Sequence, residues 1–111
     1  LLIDFGYWYV PDGRTDNQQV EFERAEVKPQ SLEWLFSVAC GLPFRLSVDN
    51  VAKPNLKASK VFKQDVYTQT RQYLSLGLPD RADRFLCALL KFYRPGGERL
   101  QISEFLLPQL R

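Results

Sequence analysis

Histidine, the side chain most used for acid–base chemistry near neutral pH, is absent from this sequence of 111 residues. Without it there is no His general base, no Ser-His-Asp or Cys-His activation of a nucleophile, and no His-containing zinc site. A metal-dependent phosphate-cleaving site would pair carboxylates with arginines. Asp80, Asp83 and Arg84 come nearest to that set, but Pro79 and Ala82 interrupt the spacing. The sequence therefore predicts a protein that is not an enzyme and that uses no cofactor and no metal.

The composition is that of one small globular domain, with 45% apolar and 25% charged residues. A net charge of +2 is too small to indicate nucleic-acid binding by itself. No apolar run approaches the roughly 18 residues of a membrane-spanning helix, so no membrane association is expected. The first residues resemble no signal peptide, and the lack of any methionine suggests an excerpt of a longer protein.

The two cysteines, Cys40 and Cys87, both stand in apolar surroundings. One disulfide could join them, but a disulfide-stabilised scaffold would use more cysteines. We expect both to be reduced core residues of an intracellular protein.

The first half of the chain predicts mostly β-structure. Residues 1–10, LLIDFGYWYV, are rich in β-branched and aromatic side chains and predict a strand, a turn and a second strand. The alternation of Val20 to Glu23 predicts a half-buried strand that ends at Pro29. A short helix with Ser31 as its N-cap and a strand at Phe44–Val48 would follow.

The second half predicts one helix, then a β-hairpin and a short final helix. The hairpin rests on two apolar runs separated by a polar turn. The expected elements are a helix over Ala58–Thr68, strands at Tyr73–Leu78 and Phe85–Tyr93 with a turn at Pro79–Arg84, a turn at Arg94–Gly97, and a helix at Ser103–Leu107.

This order of elements, with several local signatures in register, resembles the extended Tudor domain of the Tudor-domain protein family. The segments that carry the resemblance are Leu2–Gly6, Val20–Pro29, Gly41–Pro54, Arg71–Leu78, Phe85–Phe92 and Ile102–Leu107. It implies a mainly β fold with short helices (α+β). Residues 1–54 would be the C-terminal part of an SH3-like Tudor barrel, and 55–111 the C-terminal part of an OB-type, staphylococcal-nuclease-like lobe. The front half of the domain is missing, so an upstream segment or another chain would complete the sheet.

The resemblance also implies a ligand pocket. In that family, aromatic rings enclose a methylated arginine or lysine through cation–π attraction. The matching positions here are Leu2 and Phe5 for two walls, Tyr7 for a hydrogen-bonding asparagine, and Asp4 as a brace of the turn. Leu2 and Tyr7 depart from the family pattern, so a degenerate pocket, or simple sheet packing of these aromatic residues, is the competing interpretation.

Two further groups of residues have both a structural and a functional interpretation. Trp34 and Phe36 are either core residues under a loop or an anchor for a partner protein. The cations Arg81, Arg84, Lys91 and Arg94 are either solvated or a weak patch for an RNA backbone.

The resemblance implies a non-catalytic scaffold or adaptor that binds a partner peptide, for example from an Argonaute-family protein, in the germline small-RNA (piRNA) pathway. Its expected location is the cytoplasm, in germline ribonucleoprotein granules. The alternatives are a protein–protein interface that ignores methylation and an RNA-binding OB-like barrel.

Overall fold

A computed structural model of the protein describes residues 16–47 and 59–110, and the backbone of 2–4 and 7–9; side chains are described for 17–47 and 59–110. Two short strands, β1 (Leu2–Asp4) and β2 (Tyr7–Tyr9), precede three helices. The helices are α1 (Asp16–Cys40), α2 (Lys60–Leu76) and α3 (Asp80–Tyr93). Three single 3-10 turns follow at Pro95–Gly97, Ile102–Glu104 and Leu107–Gln109.

The two strands form one antiparallel pair, with Leu2 opposite Tyr9 and Asp4 opposite Tyr7. The two strands predicted within residues 1–10 are thus present, while the predicted turn lies outside the described residues. Within the described ranges β1 and β2 are the only strands, and they build a ribbon, not a barrel.

α1 is a long helix because its buried positions recur at helical spacing. Ser31, Trp34 and Leu35 are buried, and so is Ala39 one turn later. Pro29 lies inside the helix, where its ring removes one backbone donor. The Ser31 hydroxyl donates to the carbonyl of Val27 at 2.6 Å, one helical turn back.

α2 and α3 have recognisable starts. Ser59 caps α2, since its hydroxyl accepts a hydrogen bond from the amide of Phe62 at 3.0 Å. α3 begins after Pro79 with Asp80 and Asp83 in its first turn, where carboxylates favour the positive end of the helix.

The main core lies between α1 and α2 and is closed by the C-terminal segment. Trp34 is its centre, 2% exposed, stacked on Phe44 with ring centroids 6.2 Å apart and edge-on to Phe105 at 5.1 Å. Gln30 ties the stretch after α1 to this core, because its amide donates to the Ser47 carbonyl (2.7 Å) and accepts from the Ser47 amide (2.9 Å). The buried members are Trp34, Leu35, Leu46, Phe62, Val66, Tyr73, Phe105 and Leu110.

The predicted mainly β fold with Tudor and nuclease-like barrels is wrong, because the described residues are dominated by helices. The strand predicted at Val20–Glu23 lies inside α1, and so does Ser31, which therefore caps nothing. Tyr73 belongs to the last turn of α2 rather than to a strand.

The predicted second half of the hairpin is also wrong, since Phe85–Tyr93 is helical in α3. Leu86 and Leu90 are buried one turn apart, as a helix requires, and pack with Ala39 of α1. The predicted helix over Ala58–Thr68 overlaps α2, and the predicted turn at Arg94–Gly97 contains a 3-10 turn. The expected strand at Phe44–Val48 has no regular structure over its described residues 44–47.

The division of the sequence at residue 54 falls outside the described residues and stays a prediction. Over the described parts, no helix is both long and apolar enough to cross a membrane.

Candidate binding cleft

An open cleft of about 520 Å³ lies between the end of α2, α3 and the segment that follows α3. Such a volume is within the range of small-ligand and side-chain pockets. All three parts contribute leucines to its lining: Leu74, Leu78, Leu86, Leu90 and Leu100. The cleft therefore offers apolar contact to whatever enters it.

Four polar side chains also line the cleft: Asp83, Cys87 and Lys91 of α3, and Arg99 from the following segment. Because positions 83, 87 and 91 are one turn apart, they share one face of the helix. Within the part of the chain that the structure describes, neither Lys91 nor Arg99 forms an ion pair. The cleft thus presents two cations against one carboxylate.

Residues 94–104, here called the strap, form the wall opposite α3, and an ion pair holds them. The Arg94 guanidinium donates to both carboxylate oxygens of Glu104, at 2.5 and 3.3 Å, and to the Arg99 carbonyl at 3.4 Å. The Glu104 carboxylate also accepts from the Gln101 amide at 2.7 Å. Burial raises the pKa of Glu104, but the hydrogen bonds from Arg94 and Gln101 and the charge of Arg94 outweigh it, so the pKa is lowered.

Tyr73 is the aromatic side chain of the cleft, and it is buried. Burial raises the pKa of its phenol above the ordinary value. Its ring therefore contributes apolar packing, with little face left for a ligand.

A second apolar surface lies on a different side of α3. Phe85, Ala88, Leu89 and Phe92 recur at helical spacing, and Phe92 is 81% exposed. Phe36 of α1 is partly buried and meets Phe85 edge-on, with ring centroids 4.9 Å apart. Part of this stripe is therefore covered by α1, whereas Phe92 is exposed.

The predicted site residues are not gathered at the cleft. The side chains of Leu2, Asp4 and Tyr7 and all of Phe5 lie outside the described residues, so a ligand-binding role for them stays a prediction. Trp34 is in the core, and an anchoring role for Trp34 or Phe36 stays a prediction too.

The sequence analysis missed the cleft because it assigned residues 73–93, which supply much of the lining, to a β-hairpin. Arg81, Arg84, Lys91 and Arg94 are spread along α3 and its end, and of these four only Lys91 lines the cleft. Cys40 and Cys87 are free thiols, as expected, but neither is a core residue, because Cys40 is only partly buried and Cys87 is exposed. The helical spacing of 83, 87 and 91 was the signal that could have revealed their common face.

The described residues thus form a long helix, two further helices packed on it, and a cleft with five leucines beside those two helices. Residues 1–105 match the family model described as EpmC: Elongation factor P hydroxylase. The protein belongs to this family. It is 48% identical over 92 residues to the "Elongation factor P lysine hydroxylase" of Haemophilus influenzae. That match covers 83% of this sequence and 51% of the relative, so the sequence spans about half the length of the curated relative.

Family membership corrects the functional predictions made from the sequence. The Tudor resemblance is wrong, and with it the methyl-arginine scaffold, the alternative interface and RNA-barrel functions, the Argonaute partner and the piRNA granules. The prediction that the protein is not an enzyme is wrong as well, since the family is one of hydroxylases. It was argued from missing histidine in a sequence that spans half of its relative.

Hydroxylation of a C–H bond needs a metal or an organic cofactor that activates oxygen. Non-haem iron oxygenases hold their metal with two histidines and a carboxylate. This sequence has no histidine, and residues 17–47 and 59–110 contain no group of three His, Cys, Asp or Glu side chains able to hold a metal. The described residues do not fit such a centre, and no oxygen-activating step is assigned to them.

Proposed function

We propose that the protein containing these residues hydroxylates a lysine side chain of elongation factor P. The proposal is carried by the match of residues 1–105 to the hydroxylase family and is supported by 48% identity to the Haemophilus influenzae relative. Hydroxylation converts one C–H bond of the lysine to C–OH. If molecular oxygen supplies the inserted atom, the other oxygen leaves as water, with two protons and two electrons from a reductant.

Within this function, the described helices bind and position rather than carry the oxygen chemistry. This division is supported by the poor fit of the described donor side chains to a metal centre and by the leucine-lined cleft. The proposed site of action is the cytoplasm, where an elongation factor works, which keeps the compartment expected from the sequence but not the germline granules.

The direct test removes the gene for this protein from its own host. Elongation factor P is then purified from the parent, the deletion strain and the deletion strain with a restored copy, and intact masses are compared. We expect the factor from the deletion strain to be lighter by the mass of one oxygen atom, and the restored copy to reverse the loss.

Tandem mass spectrometry of peptides from elongation factor P identifies the residue that carries the added oxygen. The oxygen should map to a lysine that is unmodified in the deletion strain. Equal masses in all three strains would overturn the proposal.

A further inference from the structure

We propose that the cleft between α2, α3 and the strap is the docking site for a segment of elongation factor P that pairs an apolar side chain with a carboxylate, separate from the lysine that reacts. This inference rests on the proposed function, because it takes the factor as the partner. It goes further by assigning a surface and a chemistry to the recognition step.

The shape and lining of the cleft favour an inserted apolar side chain. Leu74 and Leu78 come from the end of α2 and the turn after it, Leu86 and Leu90 from α3, and Leu100 from the strap. Five leucines around a space of about 520 Å³ can surround an aliphatic or aromatic group and remove it from water. Apolar anchors that fill pockets of this kind dominate many protein interfaces.

The charges at the cleft favour a negatively charged group next to the inserted apolar side chain. Lys91 and Arg99 have no ion-pair partner in the described ranges, whereas Asp83 is the one carboxylate in the lining. Two cations near an apolar surface attract a carboxylate and repel an ammonium. The reacting lysine is therefore disfavoured here, and an acidic residue next to the apolar anchor is favoured.

The lining also argues against RNA as the occupant. Proteins that bind single strands stack bases on exposed aromatic rings. The aromatic residue of the cleft, Tyr73, is buried, and the remaining apolar surface is leucine. The cations alone would suit a phosphate, but the lining between them does not suit a base.

The strap fixes the backbone at Arg99 and lies beside Lys91. Arg94 reaches both Glu104 and the Arg99 carbonyl, so the backbone at Arg99 is tied to the ion pair. Gly97 lies beside Lys91, since a Cβ added at Gly97 would be 3.6 Å from the Lys91 Cγ. Arg99 is thus presented by an ordered segment and not by a free loop, and Lys91 is presented by α3.

The test titrates purified full-length elongation factor P into the protein by calorimetry. The variant K91E/R99E should bind at least about tenfold more weakly, because each charge reversal replaces attraction by repulsion. The matched control K60E/K63E changes the net charge equally but alters side chains on α2 outside the cleft lining. It should stay within about twofold of the parent. Equal weakening by both variants, or by neither, would overturn the inference.

A footprint of the cysteines tests the location without altering any charge. Cys87 is exposed and lines the cleft, whereas Cys40 lies at the end of α1 outside that lining. Saturating elongation factor P should slow maleimide labelling of Cys87 and leave Cys40 unchanged. Unslowed Cys87, or protection by added transfer RNA in place of the factor, would overturn the assignment.

Hydroxylation measured on the same variants separates this inference from the proposed function. K91E/R99E should raise KM for the factor and leave kcat nearly unchanged, as expected for a docking surface remote from the reacting lysine. An active parent whose KM is unaffected by K91E/R99E would overturn the docking site alone. A parent with no hydroxylation at all would overturn the proposed function.

Discussion

At the scale of single residues, the ion pair of Arg94 with Glu104 is the contact that most directly orders the cleft. It joins the end of α3 to the second turn of the strap, and both side chains are mostly shielded from solvent, at 18% and 30% exposure. Hydrogen bonds between charged groups in such partly buried positions are stronger than exposed surface pairs. The strap wall therefore depends on the charge of Glu104.

We predict that Glu104→Gln lowers the free energy of unfolding by roughly 1 kcal/mol at neutral pH. Because the pKa of Glu104 is lowered in the folded state, the charge stabilises the fold above the unfolded pKa of about 4.3 and this contribution fades as the pH falls through the folded value. Urea unfolding at pH 7 and near pH 3 measures the difference in free energy of unfolding between the parent and Glu104→Gln. This difference should be smaller at the acidic pH.

The control for this prediction is Glu98→Gln in the same segment. Glu98 is exposed and acts on Arg94 only through its charge. Its replacement should change stability by no more than a few tenths of a kcal/mol. A gap between the parent and Glu104→Gln that widens in acid would contradict the assigned role.

At the scale of elements, the junction between α2 and α3 sets the opening of the cleft. Gly77 ends α2 with φ 99° and ψ 158°, a region that side chains with a Cβ rarely adopt. Its amide still donates to the Tyr73 carbonyl at 2.9 Å, which closes the helix. The backbone then turns directly into α3 at Asp80.

Gly77→Ala should destabilise the protein by about 1 to 3 kcal/mol through backbone strain. The cause would be conformation and not a clash, since nothing lies within 4 Å of an added Cβ. Thermal or urea unfolding against Ser75→Ala, an exposed position of α2 where alanine is favourable, provides the comparison. Equal stabilities of Gly77→Ala and Ser75→Ala would show that the junction between α2 and α3 tolerates other backbone conformations.

The elements also show how much of the fold the sequence could predict. The first strand pair and part of α2 were accessible, because the β-branched and aromatic residues of 1–10 and the apolar spacing within 58–68 are local signals. α3 was not, since its apolar run Phe85–Tyr93 fits both a buried strand and a helix with two apolar faces. Only the tertiary packing of Leu86 and Leu90 against α1 distinguishes the helix from the strand. α1 was hidden by Pro29 and by a brief alternation at Val20–Glu23.

At the scale of the whole molecule, the Tudor resemblance failed because it joined short segments whose order was plausible but whose structure was ambiguous. Most of those segments were interpreted as strands, and among the described residues many of them are helical. The match over residues 1–105 does not depend on such assignments. The cleft could not be predicted either, since it is built from α2, α3 and the strap, which meet only in three dimensions.

The central proposal is that the described helices form part of an elongation factor P hydroxylase. A chimera tests it most directly: the aligned segment of the Haemophilus influenzae relative is replaced by the present sequence, and purified elongation factor P is incubated with the chimera under conditions in which the relative is active. We predict that a lysine-containing peptide of the factor gains the mass of one oxygen atom, as it does with the intact relative. A folded, helical chimera that leaves the factor's mass unchanged would contradict the claim.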